Sequence, residues 1–244
     1  MLYSTKGIVL RKYNYGNSSI IAEIYTDKYG KQKYIVKGIG SKYNKISISN
    51  FKPLNVVDII ANSNKLHFNH YIKEIKSHEG NIASCFIKLN IAFFISELLD
   101  KSLAYKIVDS DLFNYTINSI EELSLYKNST DIANFHLFFI INLSKYLGFY
   151  PIENWQDINT QEIYFDMHKA KFAEEKPKSD FMDIETSKLF ILFLTSSNQL
   201  VKNKINTTRE IKRNLTKDLL RYYSIHNGIS SEIKSYSVIE TLFN

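Results

Sequence analysis

Over the first 80 residues apolar and polar positions alternate in short runs, and from Asn81 onward apolar positions recur every three to four residues. The chain is therefore written first as strands and then as helices. The alternating runs are Lys6–Tyr13, Ser19–Thr26, Lys31–Ile39, Val56–Ala61 and Leu66–Ile75, rich in β-branched and aromatic residues and separated by turn signals. Asp27-Lys28-Tyr29-Gly30 predicts a tight hairpin with glycine where φ must be positive. Six of the eight glycines, Gly7, Gly16, Gly30, Gly38, Gly40 and Gly80, lie in this part. Five short strands with a longer connection around Ser41–Lys52 predict a small β-barrel of the OB type, with an SH3-like barrel as the alternative.

In the second part, Ile82, Cys85, Phe86, Leu89, Ala92, Phe93, Ser96 and Leu99 write one face of an amphipathic helix. A second helix is expected from Asp109 to Leu125, and a third from Thr130 to Gly148, where Gly148 and Pro151 stop it. Residues 151–182 read as a polar, irregular connection with a short hairpin at Ile163–Phe172. Helices resume at Ile184–Leu194, then from a capping box at Thr207 and Glu210 to Asn227-Gly228, and finally at Ser237–Leu242. The fold class expected is α+β in two domains: a five-stranded OB-type barrel over residues 1–80 and an all-α domain over 81–244.

The 244 residues carry 44% hydrophobic and 14% aromatic side chains, a composition that folds around a core. A net charge of +6 favours a polyanionic partner, although lysine-rich composition alone would give the same sum. Position therefore counts for more than total charge. The single cysteine, Cys85, excludes an internal disulfide and a cysteine-based zinc site and is expected to pack in a core. The first residues lack the pattern of a signal peptide and no run approaches a membrane span, so a cytoplasmic protein with no membrane partner is expected.

Four arginines stand against twenty-seven lysines, and Arg209, Arg213 and Arg221 share one predicted helix with Lys217. Steps of four at roughly 100° per residue set these four along one stripe, opposite Ile211, Leu215, Leu219 and Tyr222. A guanidinium ridge suits a phosphate backbone because each fork of donors is fixed. Arg209 in the first helical turn opposes the helix dipole and needs compensation, either from a bound phosphate or from an acidic neighbour. A second basic group is Lys31, Lys33, Lys37, Lys42 and Lys45, with Tyr29, Tyr34 and Tyr43 interleaved. Lys31, Lys33 and Lys37 have the same parity and emerge on one strand face. Cationic grooves with aromatic platforms bind single strands, and solvated edge lysines would give the same pattern.

No catalytic chemistry is indicated. His67, His70 and His78 lack metal-ligand spacing, Asp166 and His168 are paired only by proximity, and Gly38-Ile39-Gly40 lacks the rest of a dinucleotide fingerprint. No catalytic residue, metal or cofactor is expected, and the protein is read as a non-enzyme.

Several runs of residues resemble the RecO family of bacterial recombination mediators over nearly the whole chain. At the front these are Lys6-Gly7-Ile8-Val9-Leu10, Tyr15-Gly16, Ser18-Ser19-Ile20-Ile21, Tyr25-Thr26, Gly30 and Lys37-Gly38. At the back they are Arg209, Leu219-Leu220, Tyr222-Tyr223, His226 and Ile233-Lys234-Ser235. Tyr146-Leu147-Gly148-Phe149, Pro151 and Phe165-Asp166 resemble the segment where many members hold a four-cysteine zinc site, and those cysteines are absent here. The resemblance implies a zinc-free branch with this segment held by packing. It also implies binding to single- and double-stranded DNA, annealing of complementary strands, and RecA loading with RecR onto DNA coated by single-stranded-DNA-binding protein, whose acidic tail is a further partner. Lys37, Lys42 and Lys45 are its barrel contacts, while Ser41 replaces a residue that is often basic. The alternative from the residues alone is a protein–protein adaptor whose basic stripe grips an acidic partner.

Overall fold

The computed structural model describes residues 1–40, 46–64, 69–78, 82, 85–127, 129–158, 160–196, 205, 207–229 and 232–242. Two compact units divide the chain, Met1–Leu125 and Tyr126–Asn244. Lys42, Lys45, Tyr43 and His67 lie outside the described residues.

The first unit is built on five strands: β1 (Leu2–Asn14), β2 (Ser19–Thr26), β3 (Gly30–Lys37), β4 (Val56–Asn64) and β5 (Asn69–Ser77). They close in the order β1-β2-β3-β5-β4. Strand β1 makes closure possible by pairing with β4 from Leu2 to Ile8 and with β2 from Gly7 to Asn14, with a bulge between Val9 and Arg11. The circuit is completed by a short parallel pairing of β3 with β5 at Tyr34↔His70 and Ile35↔Tyr71. That is a five-stranded Greek-key barrel of the OB type. Alternate residues point inward, so Val9, Ile20, Ala22, Ile24, Tyr34, Val36, Val57, Ile59, Ala61 and Ile72 form the core with Phe51 from a 3₁₀ turn at Ile48–Phe51.

Helices α1 (Phe86–Ser102) and α2 (Ser110–Leu125) cover part of the barrel's outer face. Tyr25 lies edge-on to Phe113 and its hydroxyl donates to the Asp109 carbonyl at 3.0 Å. The Asp109 carboxylate in turn accepts from the Leu112 N–H at 2.9 Å and starts α2. The expected face of α1 is corrected in part. The helix begins at Phe86, Cys85 is its partly exposed cap, and Phe86 and Phe93 are exposed. Ala92, Ser96 and Leu99 are buried as expected, and Ile91, Phe94, Ile95 and Leu98 are buried beside them. Adjacent apolar residues such as Phe93 and Phe94 allow two faces by period alone, and packing selects one.

In the second unit α3 (Ser129–Tyr146) is central: Phe138 meets Phe193 of α4 (Ile184–Thr195), and Tyr223 of α5 (Arg209–Asn227) donates to the Ile140 carbonyl at 2.6 Å. Helix α6 (Tyr236–Leu242) follows. Residues 151–182 are more ordered than their composition predicts. Strands β6 (Tyr164–Asp166), β7 (Lys171–Ala173) and β8 (Phe181–Met182) form a sheet in the order β7-β6-β8, so the helical unit is not wholly α. The hairpin expected at Ile163–Phe172 is the β6–β7 pair, with Phe165 opposite Phe172, whereas the two-residue β8 carries too little alternation to be read; Phe165, Met167, Phe172 and Met182 are all buried. Phe165 packs edge-on against Phe190 and Tyr222.

Gly30 ends the β2–β3 turn at φ +64°, and a Cβ there would lie 2.0 Å from the Ile107 carbonyl oxygen. Gly30→Ala therefore combines left-handed strain with a backbone clash. It is expected to cost more than the roughly 1–3 kcal/mol of strain alone. Gly16→Ala, at φ +69° with open space around it, is the control and bears only the strain. Thermal unfolding of the two variants measures the difference.

Candidate nucleic-acid interface

The lysines of β3 have different surroundings. Lys33 and Lys37 are exposed, whereas Lys31 is 4% exposed. All three share the outer face as parity requires, but the lower part of that face is roofed. The Lys106 N–H donates to the Lys31 carbonyl at 3.0 Å, and Tyr105 runs alongside Lys31 as an added bridge. The ammonium of Lys31 lies 2.7 Å from Asp100 and 3.6 Å from Glu23. The surface role expected of Lys31 is thus corrected: it neutralises two buried carboxylates.

Those carboxylates organise the neighbouring cations. Arg11 reaches Glu23 at 2.9 Å and Asp100 at 3.1 Å, Lys33 stands 3.8 Å from Glu23, and the Tyr105 hydroxyl donates to Glu23. Burial alone would raise the Glu23 pKa, but hydrogen bonds from Tyr105 and Arg11 hold it down to about 2. Asp100 moves the other way, raised by burial and by its proximity to Glu23 against the pull of Lys31. Arg11 was not singled out from sequence. Its signal is that it is the one arginine outside the C-terminal helix, on a strand opposite a glutamate.

Cations and rings alternate across the uncovered part. Lys33 lies over Tyr105 at 5.1 Å, Lys37 over Tyr71 at 4.9 Å and Arg11 over Tyr13 at 5.8 Å from the ring centroids. Tyr34 belongs to the barrel core and offers no stacking surface, because β3 alternation turns it inward. His70 accepts or donates at the Tyr3 hydroxyl and His78 pairs with Asp58, so their partners are local. Among the described residues no group of three His, Cys, Asp or Glu side chains forms a metal-ligand set.

In the second unit the cap of α5 is Thr208, whose hydroxyl accepts from the Ile211 N–H. This corrects the capping box by one residue and makes Arg209 the first helical residue. Gly228 closes the helix at φ +68°. The basic stripe is divided. Arg213 and Lys217 face Glu240 of α6 at 3.7 and 3.1 Å, and Arg221 pairs with Asp180, which His168 also contacts at 2.8 Å. Arg209 is exposed and has no ion-pair partner among the described residues. The opposite face of α5 buries Leu215, Leu219, Tyr222 and Tyr223.

Comparison with known proteins matches residues 1–81 to the model of the recombination protein O N-terminal domain and residues 84–235 to that of its C-terminal domain. The chain belongs to the recombination protein O family. Full-length relatives are the DNA repair protein RecO of Azobacteroides pseudotrichonymphae, 31% identical over 246 residues, and that of Flavobacterium psychrophilum, 32% identical over 251, with all of both chains covered in each case. The RecO N-terminal match coincides with the barrel strands, and the C-terminal match contains α1 through α5. No helix among the described residues is long and apolar enough to cross a membrane.

Two side chains of this RecO family member give contrasting expectations for stability. Lys31→Met removes the buried cation of the network and leaves Glu23 and Asp100 to the more exposed Arg11 and Lys33; it should cost about 3–5 kcal/mol in urea unfolding, the usual penalty for removing one partner of a buried pair. Lys33→Ala, at an exposed ammonium, should cost well under about 1 kcal/mol. Asp218 of α5 provides a pH signature. Burial and the nearby Asp183 raise its carboxyl from 3.8 to about 6. The folded state then holds more protons than the unfolded state between those values, so this contribution to stability falls as pH rises from about 4 to about 6. Asp218→Asn should be the more stable protein at pH 7, by an order of 1 kcal/mol after solvent screening, and the gain should vanish at pH 4. Melting temperatures of both proteins across that range measure the effect.

Proposed function

We propose that the protein is a DNA-binding recombination mediator in DNA repair, acting by binding rather than by catalysis. The observation that carries this reading is the uncovered outer face of the barrel, where Lys33, Lys37 and Arg11 stand against Tyr105, Tyr71 and Tyr13. A positively charged sheet face with aromatic platforms neutralises phosphate and stacks bases without reading sequence. Arg209 adds a guanidinium at the positive end of α5, where an anion gains from both the charge and the free backbone N–H groups. Lys42 and Lys45 join this reading by sequence. The partner set is single- and double-stranded DNA, RecR, the tail of single-stranded-DNA-binding protein and, through them, RecA. Membership of the family supports annealing of complementary strands and RecA loading as the activities.

Annealing follows from the same physics. Two strands repel through their phosphates, and a protein that neutralises both while leaving bases accessible lowers that barrier. Cytoplasmic DNA is the setting of such a task.

A second reading, an adaptor for an acidic protein, is favoured by Arg213, Lys217 and Arg221, each already engaging a carboxylate within the chain. Annealing of complementary oligonucleotides by the purified protein alone separates the two readings, because an adaptor would not accelerate it.

The combined variant Lys33→Ala, Lys37→Ala, Arg209→Ala should weaken single-strand binding across sequences. It should also flatten the dependence of log affinity on log salt by about two units, at roughly 0.7 per lost phosphate contact. Titrations between 50 and 200 mM salt, a span of about fourfold over which such contacts weaken visibly, measure the slope. An unchanged slope would remove these residues from the interface.

A further inference from the structure

A cavity of about 160 Å³ lies inside the first unit, where the barrel meets α1 and α2. Its apolar wall is Leu54 and Val56 from the barrel side, Ile82 and Leu89 from the start of the helical cover, and Ile117 and Ile120 of α2. A chamber of this size holds one benzene-sized ring or a short branched chain. The wall is preformed. Leu54 is buried with φ at +58°, a strained conformation for a leucine. Its N–H donates to the Val9 carbonyl at 2.8 Å, and the Asn55 carbonyl accepts from the Val9 N–H at 2.9 Å. The Asn55 side chain donates in turn to the carbonyls of Ser49 and Asn50. A strained residue held by this many bonds keeps its place whether or not the chamber is filled, which lowers the cost of filling it.

The polar side of the chamber is cationic. Lys6 and Lys52 line it, and neither ammonium has an ion-pair partner among the described residues. His78 stands beside them and is engaged by Asp58 at 2.8 Å. Glu121 of α2 is the carboxylate among the lining residues, so the two ammonium groups leave one positive charge over. A third ammonium lies behind the wall. Lys88 is 5% exposed, donates to the carbonyl of the lining residue Ser124 at 2.7 Å, and has no carboxylate partner among the described residues. Burial lowers its pKa. Buried charges are ordinarily paired, so an apolar chamber ringed by unpaired cations attracts an anion that brings an apolar body with it.

From these observations we propose that the cavity is a binding site for a small apolar monocarboxylic acid in its ionised form. The carboxylate sits between Lys6 and Lys52, and the ring or branched chain lies against Leu54, Leu89, Ile117 and Ile120. A monoanion matches the single excess charge of the lining, and a nucleotide exceeds the chamber. The site is therefore separate from the DNA-binding face and does not depend on that reading. Its occupant touches β1, the segment after Lys52 and α2 at once, so binding ties the helical cover to the barrel and stabilises that seating.

Phenylacetate is the probe, with phenylacetamide as its uncharged isostere. Titration calorimetry of the full chain should give phenylacetate a Kd below about 1 mM. The amide should bind at least about tenfold more weakly, because it forgoes the charge-assisted contacts. Lys6→Gln/Lys52→Gln, at two exposed side chains, should raise the Kd of the acid about tenfold and leave that of the amide unchanged. Ile120→Trp should fill the chamber and abolish binding of both compounds. Should its melting temperature fall, the lysine variant carries the test alone, because both of its positions are exposed. Oligo(dT) at saturation should not displace the acid. Absent binding up to about 10 mM, equal affinity for acid and amide, an unaltered Kd in the lysine variant, or displacement by oligo(dT) each overturns the site. None of these outcomes alters the salt slope by which the DNA-binding reading is tested.

Discussion

Two carboxylates inside the first unit set the terms for everything on its surface. Glu23 and Asp100 are removed from water, which costs several kcal/mol per ion unless partners replace the lost hydration. Lys31 and Arg11 supply those partners, with Lys33 and Tyr105 completing the shell. The network joins β1, β2 and β3 to the end of α1 and to the segment after it. It therefore fixes where the helical cover stops. Below that line the barrel's outer face is packed under α1 and α2; above it Tyr13 is exposed and Ile21, Ile35 and Tyr71 are partly exposed. A buried ion network is a poor source of net stability, but it is an effective register device, since a one-residue slip would leave charges unpaired.

The second unit solves a different problem. A segment without metal-binding cysteines must still be held, and here aromatic packing does so. Phe165 and Phe172 of the small sheet meet each other and Phe190 of α4, Phe165 also meets Tyr222, and Phe149 stacks on His226. Polar tips of the buried rings end on backbone carbonyls: Tyr222 on Phe149 and Tyr223 on Ile140. These bonds satisfy hydroxyls that would otherwise be stranded in an apolar interior.

Helix α5 shows how one sequence feature is shared between structure and binding. Its inward face carries the rings just described, and its outward stripe is partly spent on Glu240 and Asp180. Exposed pairs of this kind contribute little to stability and exchange readily with water or another anion. Arg209, at the helix start, is held by no such pair among the described residues, so within them the stripe grades from engaged at its C-terminal end to unpaired at its N-terminal end.

Alternation and turn chemistry were enough to determine five strands, the glycine-closed hairpin at Gly30 and the long helices, because these signals are local and repeat over many residues. The arginine stripe was legible for the same reason. The strand order, with β3 paired to β5, decided between the OB type and an SH3-like barrel. What tertiary structure alone decided is which of the equivalent-looking groups are surface and which are not. Lys31 and Lys33 differ by two residues and share a face, yet one is buried because Asp100 and Tyr105, about 70 residues away in sequence, fold over it. The same holds for Phe93 and Phe94 and for β8, the third strand of the small sheet. Period and parity assign a side chain to a face of its own element; only the packing of distant elements assigns that face to water or to the interior.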